Sequence, residues 1–346
     1  MRRTELIDPF LDPGYAELVA TGQGAEIFHD LLWLELLRDE YGYEIGACCV
    51  RDDDDQRIEA AIPFAKIKSR LTGNRLVALP FSDHCPPVLA ADAGLEALGL
   101  LGDTLAAHAH ESRLDLTVHA ALPSLPAGHV KERFVRHLLT LPPDPDQAEA
   151  NTSKSLRQGA RKAAREGLVV EKRTDSTGLD IFYRLHLETR RRLGVPTQPK
   201  SFIDRFAGLF DAGRGGVWLV RDGEEPIAAA VYLTHGKLVT YKYGASAAVA
   251  LKKRPNNLLM LEVIREHAER GFEVFDFGRT DLDNEGLRRF KRSLGAEEIP
   301  LAYTYLTEPA PLGEPSLKER AMTATIRRSP AVVGRLAGQM LYRHVG

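Results

Sequence analysis

The chain has 346 residues, 44% of them hydrophobic, with 46 Lys and Arg against 48 Asp and Glu for a formal net charge of −2. That is enough apolar material for two domains and excludes a largely disordered chain. The charge balance excludes a protein that coats nucleic acid with its whole surface, so any anion site must be local. Cys48, Cys49 and Cys85 give neither a disulfide framework nor paired zinc spacing, and no metal is expected.

Residues 1–9 carry no apolar run after Arg2 and Arg3, and nowhere do eighteen consecutive apolar residues occur. The expectation is a cytoplasmic protein, working at the inner face of the membrane if its acceptor is lipid-linked. Apolar spacing predicts a helix over 26–39 and strands over 43–50, 57–68 and 75–79. A helix over 94–110 and strands over 114–119 and 134–141 follow. The stretch 141–150 mixes prolines with acids, as an interdomain linker does. It separates an expected first domain over 1–148 from a second over 149–310.

From Ser153 to Gly167 the chain is basic. At about 100° per residue, Lys154, Arg157, Arg161 and Arg165 share one side of a helix whose other side carries Leu156, Ala160, Ala163 and Gly167. Such a stripe is either a solvated face or a site for an anion. The small residues beside it would let a bulky ligand approach.

A strand over 168–173 comes next, then helices over 177–193 and 201–212 and strands over 217–221, 226–234 and 238–244. A helix over 257–270, a strand over 272–277, a helix over 285–294 and a strand over 298–306 complete the second half. The order is β-α-α-β-β-β-α-β-α-β, and the first half gives a shortened version of it. The expected fold class is therefore α/β with mixed sheets. The tail, 311–346, is set apart. Its basic residues Lys318, Arg320, Arg327, Arg328, Arg335 and Arg343 stand with Met322, Ile326, Val333, Leu336 and Met340 at roughly helical spacing. A basic amphipathic helix either lies on an anionic membrane face or docks on its own domain.

The element order is that of the GNAT acyltransferases. Five segments resemble a narrower group within them: Ser153-Lys-Ser-Leu-Arg157 through Arg161-Lys-Ala-Ala-Arg-Glu-Gly167, Tyr241-Lys-Tyr-Gly-Ala-Ser246, Asn256-Asn-Leu-Leu259, Asp276-Phe-Gly-Arg-Thr280 and Phe290-Lys-Arg-Ser-Leu-Gly295. They are similar to the signature of the FemAB-like proteins, also described as BioF2-like acetyltransferase domains. The resemblance covers about 151–306 and extends more weakly through Phe28-His-Asp-Leu-Leu-Trp33 and Pro80-Phe-Ser-Asp-His-Cys-Pro86. It implies two tandem GNAT-like domains. It also implies transfer of an amino acid from aminoacyl-tRNA to an amine of a phosphate-bearing cell-wall (peptidoglycan) precursor, with no tightly bound cofactor. Both tRNA and such a precursor are polyanions, which suits the basic helix.

On this resemblance Lys291 matches a family lysine that contacts the acceptor diphosphate, and Asn257 falls within the Asn256-Asn motif. Arg279, after a strand and a glycine, could reach a cleft at the sheet's end. With Tyr241 and the four stripe residues these form the expected substrate-binding set. Amide formation needs a deprotonated amine, and Asp276 and Asp281, flanking Gly278-Arg279, could take that proton. Each serves equally well as a strand-end or turn-forming aspartate. Tyr241 and Tyr243 alternate with Lys242, which would turn both toward a cleft, with Tyr243 the catalytic candidate; core packing is the alternative. The stretch 251–259 has no glycine and Pro255 lacks an N–H, so it makes a poor backbone cradle for coenzyme A, though Lys252, Lys253 and Arg254 could hold phosphate by side chains. An acyl-CoA-dependent N-acyltransferase therefore stands as the alternative. An RNA-binding module is a third reading, disfavoured by few stacking aromatics near the basic helix.

Overall fold

The computed structural model describes residues 2–309 and 316–344. The chain forms two compact units, one of Met1–Val135, Pro300–Leu312 and Arg343–Gly346, the other of Arg136–Ile299 and Gly313–Tyr342. The expected boundary at 310 and residues 311–315 of the expected tail lie outside the described residues.

The first unit contains β1 (Arg2–Ile7), α1 (Pro13–Thr21), α2 (Leu31–Tyr41), β2 (Glu44–Asp52), β3 (Ile58–Ile67), β4 (Arg75–Ala78), β5 (Val88–Leu89), α3 (Leu95–Glu111) and β6 (Asp115–Val118). Its strands lie in the order β1-β2-β3-β4-β6, with β5 on β3. The β4·β6 pair is parallel because α3 carries the crossover between them. Leu101 and Leu105 of α3 bury against Cys48, Val50 and Ile62 of the sheet. The helix expected over 26–39 is interrupted at Asp30, which has extended backbone and whose side chain accepts the Leu32 N–H at 3.0 Å. An N-cap aspartate starts a helix, so α2 begins there, and Gly42 in the left-handed region (φ +67°) ends it.

β7 (His129–Thr140) contributes residues to both units. The second unit continues with α4 (Pro145–Ala150), α5 (Lys154–Arg165), β8 (Leu168–Arg173), α6 (Ser176–Leu193), α7 (Lys200–Asp204), α8 (Phe206–Asp211), β9 (Gly215–Asp222), β10 (Glu225–His235) and β11 (Leu238–Ser246). Then come α9 (Pro255–Glu269), β12 (Val274–Asp281), α10 (Glu285–Ser293), β13 (Glu297–Tyr305), α11 (Leu317–Arg328) and α12 (Ala331–Leu341). β13 is also divided; its Thr304 and Tyr305 pair with Val118 and Thr117 in the first unit. The second unit's strands lie in the order β7-β12-β11-β10-β9-β8. On one face Leu156, Ala160 and Ala163 of α5 and Leu259, Val263 and Ile264 of α9 join Trp218, Tyr232 and Phe275 in one core. The apolar side of the basic helix thus does what its periodicity requires. Where one helix was expected over 201–212 there are two short ones, meeting at Arg205.

α11 and α12 lie against the second unit's own α6 region. Gly334 accepts the Thr197 N–H at 3.0 Å, and Tyr342 donates to the Pro196 carbonyl at 3.0 Å while accepting from Arg190 at 2.7 Å. Ile326, Gly334 and Gly338 are buried, whereas Val332, Leu336 and Met340 remain exposed.

Candidate functional site in the second unit

β11 and β12 pair in parallel only from Leu238↔Val274 to Thr240↔Asp276, yet β11 continues to Ser246 and β12 to Asp281. Beyond that last pair their facing backbone groups have no partner on each other, and the strands open a wedge at the sheet's C-terminal edge. Open α/β sheets bind ligands at such edges. β12 does not end in the expected turn: it runs through Gly278, whose φ of +68° only glycine adopts without strain.

Asp276 stands at the mouth of the wedge and is fully buried. Its Oδ2 accepts from Arg136 Nε at 3.0 Å and Nη2 at 2.8 Å, and its Oδ1 accepts the Gly278 N–H at 2.8 Å. A carboxylate so occupied ties β7 to β12 and fixes the glycine kink. Lys291 of α10 is also buried, and its ammonium donates to the carbonyls of Gly278 at 2.9 Å and Arg279 at 3.1 Å. The helix is thereby pinned to the splayed part of β12, and a cation is brought there.

Beside Lys291, Nε2 of His137 lies 3.1 Å from Glu298. Burial, and then the Lys291 charge, lower the imidazole to about 4, so the ring is neutral at pH 7. Glu298 also accepts Arg288 at 2.7 and 3.1 Å and Arg292 at 3.3 Å, and the Arg288 hydrogen bond leads the causes that bring it down to about 2.

Asp281 is exposed at the end of β12, its carbonyl accepting the Asn284 N–H at 3.0 Å. Arg279 is exposed one residue after the kink. The two tyrosines part company. A bulge in the β10·β11 register pairs Tyr232 with Tyr241 but Val231 with Tyr243, so residues two apart on β11 fall on opposite faces. Tyr241 packs on Tyr232 in the α9-side core, where burial raises its phenol to about 12. A Cβ at Gly244 would lie 1.7 Å from the Tyr241 hydroxyl, so that phenol occupies the space a side chain there would need. Tyr243 instead stacks on Phe206 at 6.2 Å, beside His186.

The basic stripe is also divided. Arg157 is half-buried and donates to the carbonyls of Glu149, Ala150 and Thr152, satisfying the end of α4. Arg161 lies 3.9 Å from Glu149 and is exposed, and Lys154 and Arg165 project outward. Asn257 is not on this side: it packs where α9 meets α5, so close to Gly159 that a Cβ there would lie 2.5 Å from its amide nitrogen. Between β11 and α9 the chain makes a short 3-10 helix over Ala248–Lys253. Lys253 is paired with Asp222, and Lys252 is exposed. Any diphosphate there would have to be held by side chains.

Among the described residues no group of three or more His, Cys, Asp or Glu could hold a metal ion. Arg136, His137 and Glu298 were not foreseen from sequence. Strand alternation marks Arg136 only as one polar position among several, and its partner is 140 residues away.

Residues 150–292 match the family model described as an acetyltransferase (GNAT) domain. These residues form a GNAT-type acyltransferase domain. No curated protein sequence matches the chain. Among solved structures the fold is similar to that of FemX, with a TM-score of 0.71 and 16% identity over 87% of this chain and 97% of that one. It is also similar to the C-terminal domain of a putative lysylphosphatidylglycerol synthetase from Agrobacterium fabrum (TM-score 0.57, 13% identity, 85% and 90% of the two chains). A tandem GNAT protein from the clavulanic acid biosynthesis pathway shares the fold as well (TM-score 0.52, 11% identity, 89% and 100%). The GNAT-type domain, which contains β11 and β12, makes the protein an acyltransferase.

Proposed function

We propose that the acyltransferase moves an aminoacyl group from aminoacyl-tRNA to an amine of a phosphate-bearing cell-envelope precursor. The observation that carries this reading is the buried Lys291 ammonium, fixed on the carbonyls of Gly278 and Arg279 where β12 leaves β11. A fixed cation beside an opening in the sheet favours an anionic phosphate, or the negative charge that develops on an ester carbonyl under attack. The amine nitrogen attacks that carbonyl, the C–N bond forms and the ester C–O bond breaks, and the tRNA hydroxyl leaves with a proton. The ammonium of the acceptor first loses its proton, to the exposed carboxylate of Asp281 directly or through water. Asp276, closed off by Arg136, holds the kink. Arg279, Asn257 and the outward Lys154, Arg161 and Arg165 are assigned to substrate contact, Arg157 to the base of the same helix. Tyr241 and Tyr243 line opposite faces of β11, and their part is to shape the strand.

Against acyl-CoA as donor stands the loop before α9, which offers no glycine and has Pro255 at the first helical position. The likeness to a lysylphosphatidylglycerol synthetase domain supports aminoacyl transfer in the envelope. Exposed Leu336 and Met340 beside Arg335 suit contact of the tail with an anionic membrane surface. The test is to supply aminoacyl-tRNA and acetyl-CoA, each labelled on the transferred group, in parallel with an envelope extract. Label moving to an amine from aminoacyl-tRNA alone is the expected result, and label moving only from acetyl-CoA would replace this reading with the alternative.

A further inference from the structure

Beyond β11 the 3-10 helix over Ala248–Lys253 is held at three points. The Ala248 N–H donates to Glu188 of α6 at 3.0 Å, Ala250 is buried in the α9-side core, and Lys253 pairs with Asp222 at the end of β9. Between these anchors Val249 is 90% exposed and Leu251 42%. A single apolar side chain in water is ordinary. A fixed tip that presents two of them, next to other exposed apolar groups, marks a contact surface.

Such groups are close by. β9 and β11 are each antiparallel to β10, and β12 is parallel to β11, so the three strands end at one edge of the sheet. α6 ends there too: Thr189 Oγ1 accepts the Ser246 N–H at 3.0 Å and Arg192 donates to the Ser246 carbonyl at 2.9 Å. α11 and α12 pack on the residues at and just after the end of α6, where Arg327 donates to the Leu193 carbonyl at 3.2 Å and the Thr197 N–H to that of Gly334 at 3.0 Å. The tip therefore shares one end of the second unit with exposed Leu193 and with Val332, Leu336 and Met340, which are spaced four apart on α12.

Charge decides what covers this end. Lys252 and Arg254 are exposed beside the tip, and Arg191 and Arg335 beside the other apolar residues, against Asp281 and Asp283 after β12. Apolar side chains set among cations match a bilayer with acidic head groups, anionic at its surface and apolar beneath. RNA would satisfy the cations and leave the valine and leucine in water. A second copy would bring like charges together.

We propose that the edge of the sheet at which β11 and β12 end docks on an anionic bilayer, with Val249 and Leu251 entering the head-group layer. The proposal rests on the tail contact suggested above only for the neighbouring stripe of α12. It goes beyond that contact by turning the opening between β11 and β12 toward the membrane.

The test is co-sedimentation of the full chain with vesicles of equal parts phosphatidylglycerol and phosphatidylcholine, and with phosphatidylcholine alone. Val249→Ser with Leu251→Ser removes the apolar tip at positions outside both buried cores. Leu336→Ser with Met340→Ser probes the tail, and Leu95→Ser, an exposed position on α3 of the first unit, is the control. The expected result is binding to the anionic vesicles only, weakened about ten-fold or more by the tip variant and unchanged by the control. In Val249→Trp the added indole should emit further to the blue on anionic vesicles and be quenched by brominated acyl chains. Loss of binding in the tail variant with none in the tip variant would overturn this proposal and leave the tail contact standing. No vesicle binding by the parent protein would overturn both. A tip-dependent rise of molar mass in light scattering would give the tip to a second copy, and tip-dependent binding of uncharged tRNA would give it to RNA; either result would overturn the proposal. None of these outcomes bears on the donor, which the label assay decides.

Discussion

Arg136 gives two hydrogen bonds, 3.0 and 2.8 Å long, to one carboxylate oxygen of Asp276, while the other oxygen takes the Gly278 N–H. The pair is buried, so each charge depends on the other for the solvation it has lost. Asp276→Asn leaves the guanidinium buried without its counter-ion. We expect it to lower unfolding stability by about 3–5 kcal/mol, read from urea denaturation with the slope unchanged. A loss below about 1 kcal/mol would mean that the pair behaves as a solvated surface bridge.

Acid should unfold the protein through its histidines before its carboxylates. Burial brings His29, His137, His186 and His267 down to about 4, so they stay neutral in the fold while the unfolded chain binds protons near the ordinary histidine value. The unfolded state therefore gains protons as the pH falls from about 6.5 to about 4, and stability drops across that window. The slope is about 1.4 kcal/mol per pH unit for each such group. His267 is ringed by Trp218, Tyr232, Phe272 and Phe275, so His267→Phe keeps the packing and removes one titration. Its stability curve should be flatter between those pH values; an unchanged slope would remove His267 from this account.

Two effects of opposite sign meet at Gly338. In an isolated helix Gly→Ala is favourable by about 1 kcal/mol. Here a Cβ would lie 1.7 Å from the Thr197 carbonyl oxygen, a backbone atom that has little room to retreat. The clash should win, and Gly338→Ala should lift α12 off the 195–198 segment. Trypsin would then cut faster at Arg327, Arg328 and Arg335 than in the parent protein, whereas equal or slower cutting would show that helix propensity dominates.

Along the basic helix, position separates structural from solvated charge. Arg157 serves three carbonyls at the end of α4, and Arg157→Ala should cost about 1–2 kcal/mol of stability by leaving them unsatisfied. Lys154→Ala, on an exposed position of the same stripe, should stay within about 0.5 kcal/mol. Comparable losses in urea melts of the two variants would contradict this division.

The helices and strands of the second unit were largely legible because one face of each is buried, and burial writes a period into the sequence. The apolar face of α5 is the clearest instance: Leu156, Ala160 and Ala163 are all core residues. Edge strand β1, with Arg2, Arg3 and Glu5, has no such face to show and was not foreseen. The shared face expected for Tyr241 and Tyr243 is lost because alternation assumes an unbroken register and one bulge inverts it, whereas Tyr241 takes the core-packing alternative. At the site itself, Lys291 stood out through its resemblance to a family motif. Its carbonyl partners, 12 and 13 residues back, come from the packing of α10 on the kinked end of β12, and the Arg136–Asp276 pair joins residues 140 apart; no helical or strand period encodes either contact.

In the proposed function the Lys291 charge at the splayed edge of β12 serves the transfer step. Lys291→Met keeps the length and apolar stem of the side chain and removes the charge. In a single-turnover assay with saturating aminoacyl-tRNA and acceptor, the folded variant should transfer label about 100-fold more slowly, a loss of about 2.7 kcal/mol of transition-state stabilisation, while still binding tRNA. Transfer within two-fold of the parent rate by a folded Lys291→Met protein would contradict the account.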